Sequence, residues 1–91
     1  MEGPSIHPIG HVVRYFARAS VASVRLSEPL RVGEMIYVRG YTTDFRQAVS
    51  SIQREHVAVD EARAGELIGI RVAQRCRPHD IVYKLQPAYD A

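Results

Sequence analysis

The sequence predicts an all-β fold, a small closed barrel of six or seven strands. Three observations predict it. Short runs rich in β-branched and aromatic residues are separated by Gly, Pro and polar clusters throughout the 91 residues. Val21 to Leu26 alternates strictly, with Val21, Ser23 and Arg25 on one side and Ala22, Val24 and Leu26 on the other, the period of a half-buried strand. No segment carries a strong amphipathic helical period. Closure would remove the exposed edges that a flat sheet of this size leaves.

The elements follow in order. A proline-flanked leader, residues 1–8, ends at Pro8, and the first strand runs from Ile9 to Phe16. Val21 to Leu26 is the second strand, broken by Ser27-Glu28-Pro29. Leu30-Arg31-Val32-Gly33-Glu34 leads into a third strand, Met35 to Arg39, which Gly40 ends. Asp44 to Gln53 reads as a short helix or a strand, and Thr42-Thr43 before it and Val49-Ser50-Ser51-Ile52 within it favour the strand. A short strand covers about His56 to Val59. Asp60 to Gly65 is a polar connection, read as a helical turn with Gly65 as its C-terminal stop. Leu67 to Ala73 is the next strand. Arg77-Pro78-His79-Asp80 is a turn, since proline presets its backbone angle and Asp caps turns. Ile81 to Leu85 closes the domain, so the barrel spans 9–85 and 86–91 forms a flexible tail. No internal repeat is evident.

Composition narrows the class. This length builds one domain with a modest core. Cys76 stands alone, so no internal disulfide forms, which fits a cytoplasmic compartment. No apolar run approaches the ~18 residues of a membrane helix, so no membrane association is expected. The net charge is +2, divided as +3 over residues 1–54 and −1 over 55–91. Eleven of the twelve basic residues are arginine. Arginine grips phosphates and stacks on bases, but so small a net charge predicts only weak nonspecific nucleic-acid binding.

Chemistry is sparse. There is no phosphate-binding G-x-x-x-x-G-K-[ST] loop and no closely spaced Cys or His set for zinc. His7 and His11 lie four apart on leader and strand, where that spacing does not bring both to one helical face. Cys76 and His79 flank a turn as a thiol and an imidazole, but nothing orients the base. No catalytic residue, metal or cofactor is expected, and the chain is read as a non-enzyme.

Candidate binding residues cluster in two places. The loop Tyr41-Thr42-Thr43-Asp44-Phe45-Arg46 mixes aromatic rings, hydroxyls, a carboxylate and a guanidinium. That mixture suits a base and a sugar or phosphate, or equally a turn whose Thr and Asp bond their own backbone while Phe45 anchors it. Arg14-Tyr15-Phe16 with Arg18 is the second. On a strand Arg14 and Phe16 share one face and Tyr15 the other with Val13. Arg14 with Arg18 offers a basic stripe near the first hairpin, the alternative being a solvated face with Tyr15 or Phe16 in the core. His56 lies in the polar stretch 53–56, either as a rim group titrating near neutrality or as an ordinary exposed histidine.

Five pieces recur in suitable order: Gly10-x-Val12, Val21-Ala22-x-Val24-x-Leu26, Leu30-x-Val32-Gly33-Glu34-x-Ile36, Ser51-Ile52-Gln53, and Asp60 to Gly69. Together they resemble the second, β-barrel domain of translational GTPases such as elongation factor Tu. Gly40-x-Thr42-Thr43-Asp44-Phe45, Gln53-x-Glu55-His56 and Val82-Tyr83-Lys84 further resemble small free-standing translation elongation factor-like proteins. Pro78-His79-Asp80 departs from that pattern, which usually has Glu-Gly-Asp, so this turn is expected to avoid a positive φ. The resemblance implies a barrel rim facing RNA, the ribosome or a protein. A similar barrel also occurs as an accessory domain at the C-terminal end of some collagenase-like peptidases. Two functions follow as expectations: a module binding RNA or a ribonucleoprotein, and a protein-interaction barrel docking onto a partner enzyme. Oligomeric state is left open.

Overall fold

The computed structural model describes residues 5–86 and contains ten strands. They are β1 (Ser5–Phe16), β2 (Val21–Leu26), β3 (Leu30–Arg31), β4 (Met35–Arg39), β5 (Asp44–Ala48), β6 (Ile52–Arg54), β7 (Val57–Val59), β8 (Glu61–Ala62), β9 (Leu67–Arg71) and β10 (Ile81–Gln86). β2 and β4 have the bounds their sequence predicts. β1 begins earlier than expected: residues 5–8 of the anticipated leader pair with residues 83–86 of β10. The rest of that leader, and 87–91 of the anticipated tail, lie outside the described residues. The ambiguous segment 44–53 holds β5 and the start of β6, separated by residues 49–51, and no helix, and the connection 60–65 contains β8 and a turn instead of a helical turn.

Eight strands form one antiparallel sheet in the order β5-β4-β10-β1-β2-β9-β6-β7, and β3 pairs with β8 beside it. The sheet wraps one core, in which Phe45 of β5 and Ile52 of β6, near opposite edges, join Ile9, Val24, Ile36, Ile70 and Val82. The expected closed barrel of six or seven strands does not form. Among the described residues no ladder joins the edge strands β5 and β7, so the sheet stays open. The chain leaves the ladder on both sides of the seam. After β9, Val72 N donates to Ser20 O at 2.9 Å, and after β5, Val49 N donates to Glu34 O at 2.8 Å. A side chain spans the gap instead. Gln47 Nε2 donates to Arg71 O at 2.9 Å, and Ala73 N donates to Gln47 Oε1 at 2.7 Å. The edges are otherwise guarded by brevity at β7 and by the charges of Asp44 and Arg46 on β5.

An internal repeat, absent from the sequence expectation, organises this scaffold. Leu30-Arg31-Val32-Gly33-Glu34-Met35-Ile36 and Ala62-Arg63-Ala64-Gly65-Glu66-Leu67-Ile68 adopt the same geometry. In each, the Glu amide donates to the Arg carbonyl at 3.2 Å with glycine at a positive φ, 100° for Gly33 and 92° for Gly65. That is a type II turn, which demands φ above zero at its third residue. The glutamate side chain then accepts from the arginine amide at 2.8 Å in both copies. Each turn feeds a glycine-type β-bulge. Gly33 and Glu34 bond both backbone groups of buried Val49, and Gly65 and Glu66 do the same with buried Leu26. The two copies meet where Leu30 pairs with Ala62 and Arg31 with Glu61.

Candidate functional site

The residues singled out by sequence fall into separate places. On the outer face of β10, β4 and β5, Tyr83, Tyr37 and Arg46 lie in one register row. The two rings are 5.8 Å apart, and the Arg46 guanidinium sits 5.1 Å from the Tyr37 ring centroid. Burial first, and then the hydrogen bond and charge of Asp44, raise the Tyr37 phenol above its ordinary value. Tyr41 projects fully into solvent at the β4–β5 loop tip. Its neighbours are engaged internally. Thr43 is buried, and Thr42 Oγ1 accepts from Arg77 Nε at 3.0 Å. The loop therefore has the character of a structured connection.

The partner of that loop is the turn 77–80. Asp80 is buried, and its Oδ2 accepts from Arg77 N at 2.8 Å while Asp80 N donates to Arg77 O at 3.1 Å. The expectation that this turn avoids a positive φ is wrong: His79 has φ 78°. It occupies the third position of a type II turn without glycine, a place where histidine is tolerated better than most side chains. The surroundings hold it there, because His79 N donates to Val12 O and Val12 N to Asp80 O, both at 2.8 Å. Cys76 beside this turn is buried, and desolvation, aided by the Asp80 charge, pushes its thiol up to about 11. It is therefore a protonated core group at neutral pH, while His79 is exposed. No three His, Cys, Asp or Glu side chains converge as metal ligands among the described residues.

The remaining residues gather at a groove of about 570 Å³ on the outer face of β2, β9 and β6. Register fixes its layout. Phe16, Val21 and Arg71 form one row; Arg14, Ser23, Gly69 and Gln53 form the next; His11, Arg25 and Leu67 form the third. The small side chains of Ser23 and Gly69 leave the depression, and Phe16 and Leu67, each 43% exposed, wall it. Arg18 from the β1–β2 turn and Glu55 and His56 from the β6–β7 turn complete the rim. Arg14 is held over the Phe16 ring at 5.1 Å. Tyr15 faces the other way, half-buried against the core with Arg75 6.0 Å from its ring centroid. Sequence reasoning named Arg14, Arg18 and His56, and placed Phe16 on the face of Arg14, but missed Leu67, Ser23 and Gly69. The signal for them is the alternation of β2 and β9, whose wet faces are not uniformly polar.

No protein-family model matches the chain. It is 35% identical over 79 residues, 86% of its length, to an uncharacterized protease of Methanocaldococcus jannaschii. It is 35% identical over 78 residues, 84% of its length, to a collagenase of Porphyromonas gingivalis. These matches take up 19% and 22% of the relatives, so the chain spans about a fifth of the length of the curated relatives it matches. Among solved structures, the C-terminal domain of a candidate U32 peptidase from Geobacillus thermoleovorans superposes with a TM-score of 0.79 at 23% identity, covering 84% of this chain and 89% of that one. Its selenomethionine variant gives 0.80. The fold is thus that of this C-terminal domain, and the resemblance to the translation-factor barrel and to elongation factor-like proteins is corrected. The pieces that suggested it, Gly33-Glu34 and Gly65-Glu66 above all, build type II turns and bulges. Such devices report strand geometry and not lineage.

Proposed function

We propose that this chain is a non-catalytic accessory domain that docks onto a protein partner, the catalytic portion of a U32-type peptidase, within one polypeptide or between two. The observation that carries this reading is the unequal coverage. Peptidase-type relatives align with more than four-fifths of this chain while giving about a fifth of their own length, and a C-terminal domain of such a protein shares its fold. The chemistry is consistent with it. The buried, protonated Cys76 is no nucleophile, and the exposed Phe16, Val57 and Leu67 suit association with protein. RNA recognition has no comparable support, since the threonines proposed for it are buried or bonded to Arg77.

The test is to mix the purified domain with the separately purified catalytic portion of a U32-type peptidase from the same source. Light scattering during gel filtration would then show a stoichiometric complex, and the domain alone would leave gelatin intact. Failure to associate at tens of micromolar, or gelatin cleavage by the domain alone, would refute the reading.

A further inference from the structure

We infer that the groove between the β1–β2 turn and the β6–β7 turn is the docking surface, and that it takes an extended acidic segment of the protein partner with one apolar side chain seated over Ser23 and Gly69. This deepens the docking function proposed above and rests on it.

Shape, charge and strain point to the same surface. The depression exists because the middle register row carries Ser23 and Gly69 between taller neighbours. A Cβ on Gly69 would lie 3.2 Å from Val21 Cγ1, so even one methyl group would crowd the floor. Leu67 and Phe16 offer apolar walls for a single side chain. Among the lining residues Arg18 stands against Glu55, and the register rows that cross the groove add Arg14, Arg25 and Arg71 with no carboxylate. That excess of guanidinium groups in the surrounding rows favours an incoming segment with carboxylates flanking its apolar residue.

Backbone strain is concentrated at the same rim. The described non-glycine residues with positive φ are Ser20, Glu55, His56 and His79, and three of these four lie in the two turns that flank the groove. Glu55 (φ 52°) and His56 (φ 68°) are the central pair of a two-residue hairpin loop. That loop needs positive φ at both positions, so Asn-Gly or Gly-Gly is the ordinary choice. A left-handed conformation is unfavourable for any residue that carries a Cβ. The chain retains two full side chains there, and both line the groove. Strain kept at a surface turn in this way is a mark of a recognition site.

Binding is read with a fluorescein-labelled peptide of sequence Gly-Ser-Asp-Glu-Leu-Phe-Asp-Glu-Ser-Gly, its lysine-substituted counterpart and a short polyuridine RNA. The acidic peptide is expected to bind and to shift amide resonances of Ser23, Gly69 and His56. The lysine peptide and the RNA are expected to bind at least about tenfold more weakly, a difference of ~1.4 kcal/mol. Arg18→Glu, at an exposed turn position, should weaken the acidic peptide about tenfold with the thermal midpoint unchanged, and Ser23→Leu should abolish binding by filling the floor. Equal binding of both peptides, tighter binding of the RNA, or insensitivity to Arg18→Glu would overturn the inference. The peptidase complex separates the two levels. A complex that survives both variants sinks the groove assignment and leaves docking intact. Acidic-peptide binding without any complex sinks the peptidase partner alone.

Discussion

A single methyl group at residue 40 should disconnect the β4–β5 loop from the turn that precedes β10. A Cβ built on Gly40 lies 1.8 Å from Asp80 Oδ1 and 2.6 Å from its Cγ. Asp80 cannot swing aside cheaply. It is 3% exposed, its Oδ2 holds Arg77 N, and its carbonyl accepts from Val12 in β1. Displacing the carboxylate forfeits a hydrogen bond to a charged acceptor, worth ~1.5–3 kcal/mol, and overpacking adds ~1–3 kcal/mol. Gly40→Ala should therefore cost about 3 kcal/mol, a large part of the ~5–15 kcal/mol stability of a small domain. In urea the midpoint should fall by about 2 M at an ordinary slope. Asp80→Ala alone should cost about 2 kcal/mol, since it removes the same cap. With Asp80 truncated, Gly40→Ala should cost under about 1 kcal/mol, leaving a coupling of about 2 kcal/mol between the sites. The reasoning is refuted if Gly40→Ala costs less than ~0.5 kcal/mol, or if the two substitutions add within the ~0.5 kcal/mol expected of independent sites.

Three further outcomes follow. His79→Gly relieves the left-handed strain at φ 78° and should raise stability by roughly 0.5–1 kcal/mol after the added chain entropy; a lower thermal midpoint would contradict the turn geometry. Glu66 is held below the usual carboxylate range, chiefly by the Arg54 hydrogen bond and then by the Arg63 amide. Its folded-state affinity for protons is thus weaker than in the unfolded chain, so its contribution is present above the ordinary carboxylate value and lost as pH falls through the depressed one. Glu66→Gln should flatten that acid limb in pH-dependent denaturation. Cys76 runs in the opposite sense. With its thiol raised to about 11, native protein at pH 8–9 should react with iodoacetamide at least ~100-fold more slowly than urea-unfolded protein, and comparable rates would show the thiol is not buried.

Strand positions were legible because alternation is local. Val21–Leu26 and Met35–Arg39 carry their own buried faces, and structure and sequence agree there to the residue. The β6–β7 hairpin was half hidden, because Glu55-His56 lacks the glycine or asparagine that announces such a turn. His79 misled for the same reason: glycine is the usual occupant of positive φ, but Val12 on both sides of the turn holds a histidine in it. The repeat of Arg-x-Gly-Glu is present in the sequence but faint, since only four of its seven positions match. The open seam was not legible at all. Gln47 bridges it to Arg71 and Ala73, contacts 24 and 26 residues away that no local pattern encodes. Of the candidate site, the charged rim could be read from sequence, but its floor of small residues arises only when β2, β9 and β6 align.

Hydrogen exchange on the domain with and without the catalytic portion of a U32-type peptidase tests the docking account most directly. The account predicts added protection concentrated in the 17–20 turn, the outer-facing strands β2 and β9, and the 55–56 turn, with the β4–β10 face unchanged. An exchange profile identical in the presence and absence of saturating peptidase would contradict it.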